Sequence, residues 1–558
     1  MPRFSHLLTL GLALLGYTAC GAAPTTTPAH AANSVDAGEQ LGKIVDRYWD
    51  ERAARGAEIS PRAIADSWAL ERGYLTDISA VPRTALDAKS RLTYDIFKRQ
   101  RELAVEGFTY PSELLAVEPF SGMPQQMAEM AAATAQPPAV GGRDYEIWLH
   151  RIDDFASWAP QAIVNMREGI RRGYLTPRAV VERTVAALER LGSDTPSNVF
   201  YRHLGAALGG AVKDKLLPAN RSLHDFLQGE YLPRARPGLA LAGLPLGQRW
   251  YAYLVRVKAG ANVTPIEIHN IGLMEVERLR ARMASMPAVA TAATATATAA
   301  ATTPAIGATL AAYMDLKVQT LAAMPTVFKD TPPADFEIRA AELSIAPAQL
   351  LVYLPVVPGG GRPGILYVAT AFNASHAAPL STANFLQEAI PGLHYQSSIQ
   401  QAKSDLPKFR RFGTEPAFVE GWGLYAASLG EELGLYRDEE TRAGALGAQL
   451  RCAAALVVDT GLHALNWTRV QALDYLRVQL GLDEAAANLL IDRFAALPGD
   501  GLACKLGELK FQALRLRAQQ ALGTGFNIRE FHSEILNDGA MPLDILEAKM
   551  QVWLDGRR

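Results

Sequence analysis

Cysteine is nearly absent. The 558 residues hold three, Cys20, Cys452 and Cys504, and no two stand at C-x-x-C spacing. That excludes a thiolate zinc site and a disulfide framework. An excess of positive charge is missing too. The 55 Lys and Arg are offset by 57 Asp and Glu, for a formal net charge of −2. Nothing is available to neutralise a phosphate backbone, so no nucleic-acid partner is expected. Beyond the N-terminus no apolar run suggests a membrane span. The longest Ala-rich stretch, near 287–312, is diluted by threonine. No repeat of fixed period is present. What remains is 49% hydrophobic and 20% charged, the composition of a globular protein long enough to bury a large core.

The N-terminus carries a signal. Arg3 precedes an apolar run, Leu7 to Leu15, which meets Gly16-Tyr17-Thr18-Ala19-Cys20. The run is too short to span a bilayer and reads as the core of a signal peptide over 1–20. Small residues before a cysteine resemble a bacterial lipobox with Cys20 as the lipidated residue, although Tyr17 replaces the usual aliphatic side chain. Cleavage after Ala29-His30-Ala31 is the alternative. Residues 21–35 are rich in Ala, Thr and Pro and suit a disordered tether. The expected location is the cell envelope, as a periplasmic or outer-membrane lipoprotein, with secretion as second choice. Membrane contact is expected only through a lipid at Cys20. Cys452 and Cys504 then either bridge in an oxidising compartment or stay buried as free thiols.

From Asp36 onward the pattern is mostly helical, and no convincing linker divides residues 36–558. Gln40 to Ala54 carries Leu41, Ile44, Val45 and Tyr48 at three-and-four spacing, and Tyr145 to Arg172 repeats this with Trp148, Ile152, Phe155 and Trp158. Pro177 opens a helix with Thr176 as the candidate cap, and Thr264-Pro265 opens another. Residues 287–304 are a low-complexity insertion. Strands are expected at Leu350–Leu354 and, after the Gly359–Gly361 turn, at Gly364–Ala371. Helices follow, with Asp483–Phe494 and Leu506–Ala521 strongly periodic. The predicted fold class is mainly α with a small β-sheet.

Two segments carry chemistry. One is Asn384-Phe385-Leu386-Gln387-Glu388-Ala389-Ile390-Pro391-Gly392-Leu393-His394; the other is Phe418-Val419-Glu420-Gly421-Trp422-Gly423-Leu424-Tyr425. A zinc hydrolase needs three protein ligands, an open position for water and a carboxylate to take the water's proton. An H-E-x-x-H helix provides two histidines and the base. Here Gln387 stands at the first histidine and Pro391 four residues later. Positions 387 and 394 would share a face only if the helix continued, which the Pro-Gly step opposes. From the residues alone, a structural helix–turn–helix with a satisfied histidine is the bland reading. Trp422 and Tyr425 at helical spacing read as core.

The first segment resembles the hallmark H-E-A-x-P-G-H-H of the DUF885 family, and the second its E-G-W-A-L-Y motif. Gly434-Leu435-Tyr436, Val457 through His463, Pro498-Gly499, Lys505-Leu506-Gly507 and Gly539 through Leu543 are also similar to that family, as are Arg362-Pro363-Gly364 and Glu267 through Leu273. The resemblance covers roughly 40–555. It implies a zincin-like helical architecture, similar to gluzincins and zinc carboxypeptidases, with a deep cleft between an N-terminal helical half and the motif-bearing half.

The resemblance also assigns roles. Gln387 falls on the leading zinc histidine. Glu388 falls on the general base. Leu393 and His394 fall on the two histidines after Pro-Gly, so one survives. Glu420 falls on the third ligand. Cys504 replaces a tyrosine, Ala369 an asparagine, and Gly359–Gly361 an Asp-Gly-Ser. Remnant metal ligands would therefore be His394 and Glu420, with Arg362, His463 and Cys504 as candidate substrate contacts. A glutamine amide is a poor zinc donor, and loss of one ligand of three costs several kcal/mol of metal affinity. Zinc is accordingly expected to be weak or absent. Because the losses cluster on site positions, the expected function is an exported peptidase-like protein that binds a peptide or peptide-like ligand or does altered, metal-poor chemistry. In that chemistry Glu388 would act as acid or base, or Cys504 as nucleophile with His394 or His463. An active zinc metallopeptidase with unusual ligands and a non-enzymatic envelope lipoprotein are the alternatives. His269 and His463 read as packed histidines on the bland view.

Overall fold

The computed structural model describes residues 29–134, 136–287, 306–341, 351–356, 363–369 and 381–557. The signal peptide, Cys20, Gly359–Gly361, Arg362 and nearly all of the 287–304 insertion lie outside the described residues. So does the tether up to residue 28; its remainder is helical, because helix α1 runs Ala29–Ala53.

Helix accounts for 72% of the fold, beside one three-stranded sheet. The spacing arguments hold where an apolar stripe exists. In α1, Leu41, Ile44, Val45 and Tyr48 are all buried. In α2 (Arg143–Arg172), Trp148, Ile152, Phe155 and Trp158 are buried and Gly173 ends the helix at φ 78°, a left-handed cap suited to glycine. Helix α3 (Arg178–Gly192) starts where expected but has no side-chain cap. Thr176 is diverted: its N–H donates to the Tyr231 hydroxyl at 2.9 Å, in a bridge where Arg236 N also donates to Thr176 O. Helix α4 (Gly247–Ala259) precedes α5 (Pro265–Ala284), which opens with a capping box between Thr264 and Glu267.

The sheet holds β1 (Phe336–Ala341), β2 (Leu351–Leu354) and β3 (Gly364–Ala369) in the order β1-β3-β2. β3 runs parallel to β1 and antiparallel to β2, with Tyr353 opposite Leu366. β1 was not expected. Its sign is a short alternation, Phe336 and Ile338 inward against Glu337 and Arg339. At Gly364 any Cβ would stand 2.2 Å from the Tyr353 hydroxyl, so only glycine admits that ring.

The largest buried cluster joins Leu41 of α1 to Phe97, to Leu366 and Val368 of the sheet, and to Trp422 and Phe511 near the C-terminus. Helices from both ends of the chain thus share one core. Six further helices frame the motifs: α6 (Thr382–Glu388), α7 (Leu393–Ala402), α8 (Pro416–Ser428), α9 (Glu439–His463), α10 (Glu484–Ala496) and α11 (Ala503–Leu522). α8 and α11 cross at Gly421 and Gly507, where a Cβ on Gly507 would stand 1.8 Å from Ala417 O. By length and composition α9 is apolar enough to cross a membrane, yet 83% of its apolar window is buried, so it is packed as a core helix.

Candidate functional site

Ser381 caps α6 by accepting from Asn384 N at 3.3 Å. α6 ends at Glu388, and the chain turns through a cis Ile390–Pro391 bond before α7 begins at Leu393. The helix therefore does not continue from 387 to 394. A Cβ on Gly392 would meet Gln387 O at 1.9 Å, which is why glycine follows the proline. Trp422 Nε1 donates to Pro391 O at 2.9 Å, tying the turn to α8. Trp422 and Tyr425 are fully buried core residues, as expected.

His394 turns away from α8 and towards the sheet. Its Nδ1 lies 2.8 Å from the Tyr353 hydroxyl and its Nε2 2.9 Å from Ala334 O. One ring nitrogen must donate to the carbonyl, so the other accepts from the hydroxyl. Burial lowers its pKa to about 4, so the ring is neutral and has both nitrogens engaged. Glu388 is half-buried, and its Oε2 accepts from Tyr353 N at 3.2 Å on β2. Gln387 and Leu393 instead face α8: a Cβ on Gly423 would meet Leu393 Cδ1 at 2.4 Å and Gln387 Cγ at 3.2 Å.

Glu420 lies one turn before Gly423. Only 7% of it is exposed, and its Oε2 is buried without a hydrogen-bond partner. Burial, then the like charge of Asp500, holds its pKa well above the carboxylate range, against Lys258 and Arg493. Asp500 is paired to Arg493 at 2.8 Å and lies 3.8 Å from Lys258. Its loop is clamped by Asp459, which accepts from Gly499 N and Gly501 N and from the Tyr251 hydroxyl at 2.6 Å.

The other candidates are structural by their contacts. Cys504 is bonded to Cys452, with their Cα atoms 6.1 Å apart; it offers no free thiol, which corrects its reading as a nucleophile. His463 is wholly buried, accepts from Leu241 N at 3.0 Å through Nδ1, and lies 2.9 Å from Phe494 O through Nε2. It joins three segments of the core and has no nitrogen left for a substrate. His269 meets the Thr460 hydroxyl at 2.9 Å.

These residues do not fit a zinc ion. Glu420 keeps an orphaned oxygen, but the one surviving histidine has spent both nitrogens on protein groups, and Gln387 offers an amide. Among the described residues no three His, Cys, Asp or Glu converge to hold a metal.

A cavity does open beside Gln387. It is small, about 40 Å³, partly open to solvent, and is lined only by residues between 384 and 504. Asn384 and Gln387 of α6 line one side, Arg451 and Cys452 of α9 another, with Arg493 and Phe494 of α10 and Cys504 of α11.

A family model described as "Bacterial protein of unknown function (DUF885)" matches residues 39–550, nearly the whole chain. This chain belongs to the DUF885 family. Among solved structures the DUF885 chain is similar to that of "the putative lipoprotein from Colwellia psychrerythraea", at TM-score 0.80 and 22% identity, covering 94% of this chain and 99% of that one. It is also similar to the structure of a "putative lipoprotein of unknown function from Shewanella oneidensis", at TM-score 0.61 and 14% identity with the same coverage. At these identities the likeness concerns the fold. No curated protein matches.

Sequence reasoning missed Asn384, Arg451, Arg493 and Asp500 in this DUF885 chain. Asn384 was findable, since it precedes Gln387 by three residues and shares its helix face. Arg451 was findable as a lone charge in the apolar run Ala443–Val458. Arg493 and Asp500 come together only through the Asp459 clamp, which no local pattern reveals.

Proposed function

We propose that this DUF885 chain is an exported peptidase-like protein that binds a peptide or peptide-like ligand without zinc hydrolysis. One observation carries the reading: both ring nitrogens of His394 are engaged by Tyr353 and Ala334. On this reading the chain keeps the order of the two motifs and a small, partly open cavity beside Gln387, but not the ligand set that activates water. Any chemistry left falls to Glu388, which is half-buried at the edge of β2. The leader ending in Cys20 and the names of the two similar structures favour an envelope lipoprotein anchored at that cysteine.

The test is elemental analysis of protein purified without added metal, with calorimetric titration of short peptides. The expected result is far less than one zinc per chain and binding without turnover. Near-stoichiometric zinc with chelator-sensitive cleavage would establish the active metallopeptidase instead. No peptide binding at all would leave the inert lipoprotein.

A further inference from the structure

The cavity beside Gln387 has an uneven lining. Arg493 is neutralised by Asp500 at 2.8 Å. Arg451 has no acidic partner among the described residues, although its side chain is exposed to solvent and reaches the cavity. Such a cation gains most from an incoming anion, and the planar guanidinium matches a carboxylate with two parallel hydrogen bonds.

The rest of the lining narrows the ligand. The amide groups of Asn384 and Gln387 also have no hydrogen-bond partner among the described residues. They stand one turn apart on the same face of α6 and supply both donors and acceptors, the complement of a peptide bond. Leu476, Leu480, Leu490 and Phe494 form an apolar wall, which would repel a ligand charged all round. The disulfide from Cys452, next to Arg451, ties α9 to α11.

We infer that Arg451 is the carboxylate subsite at the open mouth of this cavity, holding the free C-terminal carboxylate of a peptide whose last side chain is apolar and whose preceding amide pairs with Asn384 and Gln387. The inference rests on the peptide-binding reading above and adds its specificity.

Calorimetric titration of the full mature chain tests it with three probes: acetyl-Ala-Leu with a free carboxylate, the same peptide as its carboxamide, and acetyl-Ala-Glu carboxamide, whose only carboxylate is on the side chain. The free acid should bind at least tenfold more tightly than either carboxamide. Arg451→Met should remove that preference while leaving the thermal midpoint near that of the parent protein, since the side chain is exposed. Arg451→Lys should retain part of it. Equal affinity for acid and carboxamide would overturn the subsite while leaving the peptide reading intact. Equal affinity for the glutamyl carboxamide would overturn the assignment to the chain terminus. An unchanged preference in Arg451→Met would overturn the role of Arg451. Binding of none of the three would overturn both this inference and the peptide reading.

Discussion

The Tyr353 hydroxyl lies 2.8 Å from Nδ1 of His394. The contact carries the histidine into the sheet, where its ring also packs 4.5 Å from Phe336. Tyr353→Phe should leave a buried ring nitrogen without a donor. Leaving such a group unsatisfied costs about 1–3 kcal/mol, so the denaturant midpoint should fall accordingly. An unchanged midpoint would mean that His394 is not held by this bond.

That contact also marks where local reasoning stops. The α6 helix, its break at Pro391-Gly392, the burial of Trp422 and the helix start at Thr264-Pro265 were legible, because each depends on neighbours within one or two turns. The direction of His394 depends on Tyr353, forty-one positions earlier. The Cys452–Cys504 bond depends on α9 meeting α11, fifty-two positions apart. The stretch Val457–His463, read as family-like with His463 as a candidate substrate contact, is a clamp: Asp459 holds Gly499 and Gly501, and His463 joins Leu241 to Phe494. Those partners come from three separate segments, so no spacing within the motif could have revealed them.

Three buried histidines pull the fold towards acid sensitivity. Burial lowers His394 and His463 to about 4 and His532 to about 3, from 6.5. The folded state therefore disfavours the proton that the unfolded chain takes up below pH 6.5. Their contribution is fully present above that pH and is lost as pH falls towards 4, by on the order of 3 kcal/mol per histidine over the whole window. Burial raises Glu71, Glu415 and Asp459 to about 7, and those carboxyls act in the opposite sense over the same range. The comparison that isolates one imidazole is His463→Asn against the parent, by urea midpoints from pH 7.5 to pH 4.5. The variant should be less stable at pH 7.5, and the difference should shrink towards pH 4.5. A difference that does not change with pH would show that His463 is not a buried neutral group.

The disulfide should matter to stability rather than to catalysis. A link across 52 residues restricts the unfolded chain by about 4 kcal/mol on the loop-entropy model. Cys452→Ala with Cys504→Ala, or reduction of the parent protein, should lower the thermal midpoint by several degrees. Thiol titration of the unfolded, unreduced protein should find neither cysteine free. If both react with the reagent before reduction, the bond does not form and the export reading weakens with it.

Gln387 and Leu393 converge on Gly423, one turn beyond Glu420, whereas His394 points to the far side of α7, into the sheet. A metal held from α8 would thus call for imidazoles at 387 and 393, not at 387 and 394. Gln387→His alone should gain little, because His394 stays bound to Tyr353 and Ala334. Gln387→His with Leu393→His would set two imidazoles beside the buried carboxylate of Glu420, a three-ligand set that zinc accepts. Competition against a chromogenic chelator should show at least a hundredfold gain in zinc affinity for the double variant and less than tenfold for the single one. Adding Glu420→Gln to the double variant should remove most of the gain. If the single variant matches the double, His394 can swing out of the sheet and its contacts there are too weak to explain the lost metal.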